Sequence, residues 1–124
     1  MRIATAEDAA ALLRPFFEGA EEERVVVLHL DAERRVLGIT REASGSSDSV
    51  DLPVAAIVGS ALKLGAAAFV AAHNHPSGDP TPSPGDVEAT ALLARGAAAL
   101  GVACVDHLIF ANGQFRSFRA DGLI

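Results

Sequence analysis

The chain has 124 residues, half of them apolar, and its formal net charge is −6. This length and apolar content exclude an intrinsically disordered chain and predict one folded domain over residues 1–124 with its own hydrophobic core. The ten basic residues are scattered along the chain, and tryptophan and tyrosine are absent, so nucleic-acid binding by this chain alone is disfavoured.

Sequence features that would direct the chain out of the cytoplasm are missing. Charged residues interrupt the first twenty positions, which therefore do not form a secretion signal. No apolar stretch approaches the ~18 residues of a membrane span. Cys104 is the only cysteine, and its apolar surroundings favour a packed thiol, with zinc ligation as the less favoured alternative. We expect a cytoplasmic protein that does not bind membranes.

The first half of the chain combines one helix with two extended segments. We predict a helix over 5–17, a strand buried on both faces over 25–31, a second strand near 36–40 and a small polar loop over 44–49. Thr5 can cap the helix, and Pro15 should bend it or end it early.

The second half alternates helices with strands. We predict a helix over 53–64, a buried central strand over 66–72, a helix from about 84 to 100, and hairpin strands over 102–110 and 114–118. Pro53, which follows Asp51 and Leu52, suits the first turn of a helix, and Asn112-Gly113 is the strongest short hairpin signal. The order αββαβαββ predicts an α/β fold in which helices flank a mixed sheet.

The segment 73–86 carries the side chains with the clearest chemistry. His73 and His75 follow the predicted central strand, and residues two apart in an extended chain point to the same side. Asp86 stands at the start of the next predicted helix. If the three side chains converge, they offer Zn²⁺ two nitrogen ligands and one oxygen ligand and leave a fourth position open, as catalytic zinc sites do. Hydrolysis by an activated water is therefore the first hypothesis.

Asp86 and Ser83 also have a purely structural interpretation. They occupy the predicted N3 and N-cap positions of the helix, so the Asp86 carboxylate could turn back to the N-cap amide instead of projecting toward the histidines. The pairing with His73 and His75 favours the ligand interpretation. Ser83 either caps the helix or donates to a developing oxyanion, and the sequence leaves both roles open.

The same segment resembles the JAMM (JAB/MPN) metalloprotease motif, which reads His-X-His, seven residues, Ser, two residues, Asp. Its filling, AHNHPSGDPTPS at 72–83, together with DHLIF at 106–110 and SFRADGLI at 117–124, is similar to the C-terminal domain of RadC proteins. The resemblance implies a cytidine-deaminase-like α/β fold with a mixed, mainly antiparallel sheet. An N-terminal helix over 1–19 would precede a metal-binding core over 20–124. Full-length RadC proteins carry a helix-hairpin-helix segment ahead of this domain, and we expect this chain to be a short form without it.

The resemblance also implies a glutamate shortly before the first strand. In RadC-like sequences it stands two residues ahead of the apolar run, which selects Glu23 here, and a slip to the neighbouring Glu22 stays open. Without the resemblance, this acidic run would be interpreted as a solvated turn.

The activity that the resemblance implies is that of a zinc metallopeptidase or isopeptidase acting on a protein or peptide substrate. His73, His75 and Asp86 would hold one Zn²⁺ per chain. Glu23 would act as general base and Ser83 would donate to the oxyanion. Two alternatives stay open: a metal-containing domain that binds a protein partner with little catalysis, and a DNA-repair-associated role, which the acidic charge disfavours. The motifs predict neither the identity of the substrate nor the oligomeric state.

Three further polar residues lie in predicted strands. His29 alternates with leucines, so a structural or surface role is favoured over a catalytic one. Asp106 and His107 match an Asp-His dipeptide of the RadC-like sequences. We expect them to contact a ligand residue or to form a buried hydrogen-bonded pair.

Overall fold

The computed structural model describes residues 1–42 and 52–124. The loop predicted at 44–49 and the helix-start residue Asp51 lie outside these ranges. The described residues form helices and strands in the predicted order: α1 (Ala6–Leu13), β1 (Val25–Leu30), β2 (Val36–Arg41), α2 (Val54–Lys63), β3 (Ala68–Asn74), α3 (Pro84–Ala99), β4 (Ala103–Ala111) and β5 (Gln114–Ser117). The predicted α/β fold is confirmed.

The five strands form one mixed sheet in the order β2-β1-β3-β4-β5. All neighbouring strands are antiparallel except β3 and β4, which run parallel. The sheet is therefore mainly antiparallel, as the family resemblance implied. The one parallel pair brings the carboxyl ends of β3 and β4 to the same edge, which is where ligands bind in many α/β folds.

Two hydrophobic clusters cover the two faces of the sheet. Val25 and Val27 of β1 pack with residues of α2 and α3 in one cluster, whereas the alternating Val26 and Leu28 pack with residues of α1 in the other. Successive side chains of a strand point to opposite faces, so the helices lie on both sides. Every residue of β1 and β3 is buried, which confirms the prediction of a doubly buried strand.

Two predicted boundaries shift in the structure. The first helix is capped by Thr5, but it ends at Leu13 and continues as a 3₁₀ turn over Arg14–Phe16, because Pro15 cannot donate a helical hydrogen bond. The central strand was expected over 66–72, yet β3 runs to Asn74. It continues because His73 pairs with Val25 of β1 on one side and with β4 on the other.

The turn between β4 and β5 has the predicted hairpin geometry. Asn112 and Gly113 have φ values of 51° and 76°, the left-handed conformation that a two-residue type I′ turn requires at both positions. No helix in the described ranges is long and apolar enough to cross a membrane.

Candidate metal centre

The three predicted metal ligands converge at the carboxyl end of β3. His73 Nε2 lies 3.1 Å from His75 Nε2, His75 Nε2 lies 3.1 Å from Asp86 Oδ2, and His73 Nε2 lies 3.4 Å from Asp86 Oδ1. Among the described residues they are the cluster of histidine, cysteine and acidic side chains with the spacing to hold a metal ion.

Local geometry explains this convergence. His73 is in β3 and His75 follows it by two residues, so both imidazoles project to the face that α3 covers. The α3 helix begins with Pro84 after the N-cap Ser83, and its N3 position points Asp86 toward the same place.

The Asp86 carboxylate serves the helix and the histidines at the same time. Oδ2 accepts the backbone N–H of Ser83 at 2.9 Å, and the N–H of Asp86 returns a bond to Ser83 Oγ at 3.0 Å. The expectation that a capping carboxylate would have to turn away from His73 and His75 is therefore wrong. A carboxylate has two oxygens and about four acceptor sites, which suffice for both tasks.

The protonation equilibria of the three side chains are coupled through Asp86. Burial alone would raise the pKa of the Asp86 carboxyl, but hydrogen bonds from His73, His75 and the Ser83 amide outweigh it and hold that pKa well below its usual range. Burial lowers the pKa of His73. The pKa of His75 is raised, mainly by its hydrogen bond to Asp86. A metal ion at this site would therefore compete with a proton at His75 more than at His73.

The donor set fits a divalent ion such as Zn²⁺. Nitrogen and oxygen ligands about 2.0–2.1 Å from a tetrahedral ion lie about 3.3 Å from one another. The three observed separations lie between 3.1 and 3.4 Å. Two imidazoles and one carboxylate are also the ligand types of catalytic zinc sites, which keep a fourth position open. Four protein ligands would have indicated a structural site instead.

Glu23 is buried, with 5% of its surface exposed, just before β1. Val25 pairs with His73 in the antiparallel β1–β3 ladder, and the same register continued for two residues puts Glu23 opposite His75 on one face of the sheet. Its charge contributes to the raised pKa of His75. Glu22, the alternative from the sequence, is exposed.

Asn74, between the two histidines, holds the backbone on both sides of Glu23. Its Nδ2 donates to the carbonyl of Glu22 at 3.0 Å, and its Oδ1 accepts from the N–H of Arg24 at 2.7 Å. Sequence reasoning gave Asn74 no role. Its position between two ligand histidines was the available signal, since it must point to the opposite face of the strand.

Ser83 caps α3, which confirms its structural interpretation. Its Oγ accepts the Asp86 N–H, and the residue is exposed at the start of the helix. A serine hydroxyl can donate one hydrogen bond while it accepts another. The cap therefore leaves the hydroxyl proton available to a ligand.

His107 contacts a predicted metal ligand, whereas Asp106 supports the end of the chain. The Nε2 atom of His107 lies 2.6 Å from His73 Nδ1, in agreement with the expectation from the sequence. Asp106 accepts from the Ser117 hydroxyl and from the backbone N–H groups of His107 and Arg119. Asp106 thus fastens the turn after β5 to β4.

His29 and Cys104 take no part in the ligand cluster. His29 is fully buried, so the surface alternative is wrong, and its Nε2 lies 2.8 Å from Thr40 Oγ1. Cys104 is a buried thiol whose pKa burial raises to about 12. A thiol that resists deprotonation is a poor metal ligand, and it lies outside the cluster formed by His73, His75 and Asp86.

Comparison with known proteins agrees with this geometry. The model of the family described as RadC-like JAB domain matches residues 3–123. The chain belongs to this family. The chain is also similar to relatives named UPF0758 protein: one from Rhodobacter capsulatus is 41% identical over 102 residues, which is 82% of this chain and 48% of the relative. One from Clostridium kluyveri is 37% identical over 123 residues, or 99% of this chain and 54% of the relative.

A third relative, from Chloroflexus aurantiacus, is 38% identical over 116 residues, which is 94% of this chain and 51% of the relative. The chain thus spans about half the length of the curated relatives it matches. Their name states no activity, so the family assignment establishes the fold and leaves the reaction to be argued from the site.

Proposed function

We propose that this RadC-like JAB domain is a zinc-dependent hydrolase that cleaves a peptide or isopeptide bond. The observation that carries the proposal is the convergence of His73, His75 and Asp86, with the buried Glu23 on the same face. A site with three protein ligands and an adjacent carboxylate has the parts needed to activate a water molecule.

The residues divide the work as follows. His73, His75 and Asp86 would hold Zn²⁺, which when bound supplies a Lewis acid that lowers the pKa of a water molecule. Glu23 takes the proton of the attacking water and later delivers it to the leaving amine. Asn74 keeps the backbone around Glu23 in place. Ser83 donates a hydrogen bond from its hydroxyl group to the oxygen of the attacked carbonyl.

The electrostatic balance supports this assignment. Glu23 and Asp86 place two negative charges at one site, and His73 and His107 are buried histidines that stay neutral because burial lowers the pKa of each. A divalent cation compensates two carboxylates. Without it, the compensating charge is that of His75, whose pKa both carboxylates raise.

A peptide-library cleavage screen tests the proposal directly. The zinc-loaded parent is compared with Glu23→Gln, and Glu22→Gln serves as the matched control because it changes the exposed neighbour in the same way. We expect Glu23→Gln to keep its zinc and to lose about a hundredfold or more in cleavage rate, since general-base catalysis contributes roughly 10²–10⁴-fold. Glu22→Gln should cleave like the parent.

Three outcomes would contradict the proposal in different ways. A Glu23→Gln protein as active as the parent places the base elsewhere. A zinc-loaded parent that cuts no peptide or isopeptide bond would favour the alternative function, a metal-containing domain that binds a protein partner. Elemental analysis that finds no metal in protein prepared without chelator refutes the metal centre itself.

A further inference from the structure

A buried chain of hydrogen bonds leads away from the candidate metal centre through the Nδ1 atom of His73. His73 Nδ1 lies 2.6 Å from His107 Nε2, and His107 Nδ1 lies 2.6 Å from Thr90 Oγ1. His73 and His107 are fully buried, and Thr90 is 1% exposed. The proposed reaction, in which Glu23 and Ser83 act, does not use these hydrogen bonds.

This series of hydrogen-bonded side chains closes into a ring through α3. Thr90 follows Asp86 by four residues, so both side chains lie on the same face of the helix, one turn apart. Asp86 faces His73 from the metal side, while Thr90 reaches the same histidine through His107. The ring therefore ties α3 to β3 and β4 with buried side chains.

Proton counting gives this ring one arrangement when a metal is bound. A metal at Nε2 leaves the single proton of a neutral His73 on Nδ1. His73 then donates to His107 Nε2, which must be unprotonated, so the proton of His107 sits on Nδ1 and is donated to Thr90 Oγ1. A doubly protonated His107 would put two N–H groups face to face and would bury an unpaired charge.

We propose that His107 and Thr90 are positioning residues that hold His73 in the Nδ1–H tautomer and thereby present its Nε2 lone pair to the metal. The inference rests on the metal centre of the proposed function and extends it to side chains that touch neither metal nor substrate. Ligand histidines in metal sites depend on such a partner for ring orientation and tautomer.

Because His107 and Thr90 are uncharged, they add no negative charge to the site. Metal-bound histidines often donate to a carboxylate, which here would add a third negative charge to those of Glu23 and Asp86. His107 accepts the hydrogen bond from His73 without a negative charge, and Thr90 accepts the one from His107 in the same way. The two carboxylates then balance the two positive charges of a divalent ion, and the ion keeps its ability to polarise a ligand.

Zinc affinity measured by chelator competition tests the inference without any substrate. Thr90→Val removes the hydroxyl and keeps the shape of the side chain, and Thr90→Ser is the matched control that keeps the hydroxyl. We expect zinc affinity to fall about tenfold or more in Thr90→Val, within the range known for such partners, and to change less than about threefold in Thr90→Ser. His107→Gln and His107→Leu form a second pair, in which only glutamine can still accept from His73.

Imidazole ¹⁵N NMR of the zinc-loaded parent supplies a readout that a merely structural role would not move. We expect His73 and His107 both as Nδ1–H tautomers, and loss of the His107 hydrogen bond in Thr90→Val. Melting of the metal-free proteins shows which variants fold, and affinities are compared among those.

Equal zinc affinity in the parent and Thr90→Val, or a His107 that carries its proton on Nε2 in the zinc-loaded parent, overturns the inference. A parent that binds zinc but cuts no peptide refutes the proposed reaction and leaves the inference standing. A parent that binds no zinc overturns both.

Discussion

Asp86 is the residue in which folding and metal binding meet. One of its oxygens accepts the Ser83 amide at 2.9 Å and also lies 3.1 Å from His75 Nε2. The helix cap therefore fixes the carboxylate in the orientation that the histidines require before a metal binds. Such preorganisation lowers the cost of assembling the site.

Zinc content separates the two roles of Asp86. Asp8 holds the same N3 position in the capping box of α1, far from the site, so Asp8→Ala is the matched control for Asp86→Ala. We expect both variants to lose helix-cap stability, and only Asp86→Ala to lose the metal, because only Asp86 faces His73 and His75. Elemental analysis after gel filtration measures this. Stoichiometric zinc in Asp86→Ala would remove Asp86 from the ligand set.

The convergence of His73, His75 and Asp86 could be predicted from the sequence because its geometry is local. Alternation in a strand places His73 and His75 on one side, and the first turn of a helix places Asp86. The partners of Asn74 and Thr90 are 50 and 17 residues away in the chain. Their roles depend on which strand or helix packs against them, and no local pattern contains that information.

At the scale of secondary structure, α3 contributes more to the site than any other element. Its N3 residue Asp86 and its second-turn residue Thr90 contact the histidines, and its N-cap Ser83 holds Asp86. A change at the start of this helix should therefore affect both stability and metal binding. The capping box of α1 provides the comparison, since it has the same hydrogen bonds and no metal ligand.

Ser83→Ala and Thr5→Ala remove equivalent helix caps at the two places. Loss of an N-cap side chain costs about 1 kcal/mol, so we expect similar decreases in the free energy of unfolding of the two metal-free variants. Only Ser83→Ala should also weaken zinc binding, because the lost Oγ bond holds the backbone N–H of Asp86, whose carboxylate faces His73 and His75. Urea unfolding and chelator competition measure the two effects. Zinc affinity that falls equally in both variants would show that general loss of stability is responsible.

The ends of the helices and strands depend both on the local sequence and on pairing with neighbouring strands. Pro15 ended the first helix as expected, because the missing N–H is a property of the residue itself. The end of β3 was misplaced, because it is set by Val25 on β1 and by Ile109 on β4, both of which pair with His73. Pairing partners from distant segments extend a strand beyond its apolar run.

At the scale of the whole molecule, the strand order assembles the site. The antiparallel β1–β3 pair brings the segment that enters β1, with Glu23, to the end of β3 from which His75 emerges. The crossover from β3 to the parallel β4 carries α3 and Asp86 over that end. The sequence predicted the elements in order and the β4–β5 hairpin, but not that β3 lies between β1 and β4, because that pairing depends on contacts between distant segments.

If the proposed site binds zinc, the stability of the whole molecule should depend on pH in opposite directions with and without the metal. In the metal-free protein the pKa of His75 is raised above 6.5, so its stabilising contribution is present below that pH and is lost as pH rises through the folded pKa. Zinc requires neutral His75, so stabilisation by zinc grows over the same pH range. We expect the difference in melting temperature between zinc-loaded and chelator-treated protein to widen as the pH rises above 6.5, because His75 then loses its proton.

The other histidines and Asp86 do not change protonation in the folded protein over this pH range. His29, His73 and His107 have lowered pKa values and are neutral in the folded protein there, and the lowered pKa of Asp86 affects stability only in acid. His75→Gln serves as control, because it removes the group to which the effect is assigned. It should abolish the zinc-dependent difference and flatten the pH dependence of the metal-free protein. A melting difference that narrows as pH rises would mean that proton release from His75 does not limit metal binding.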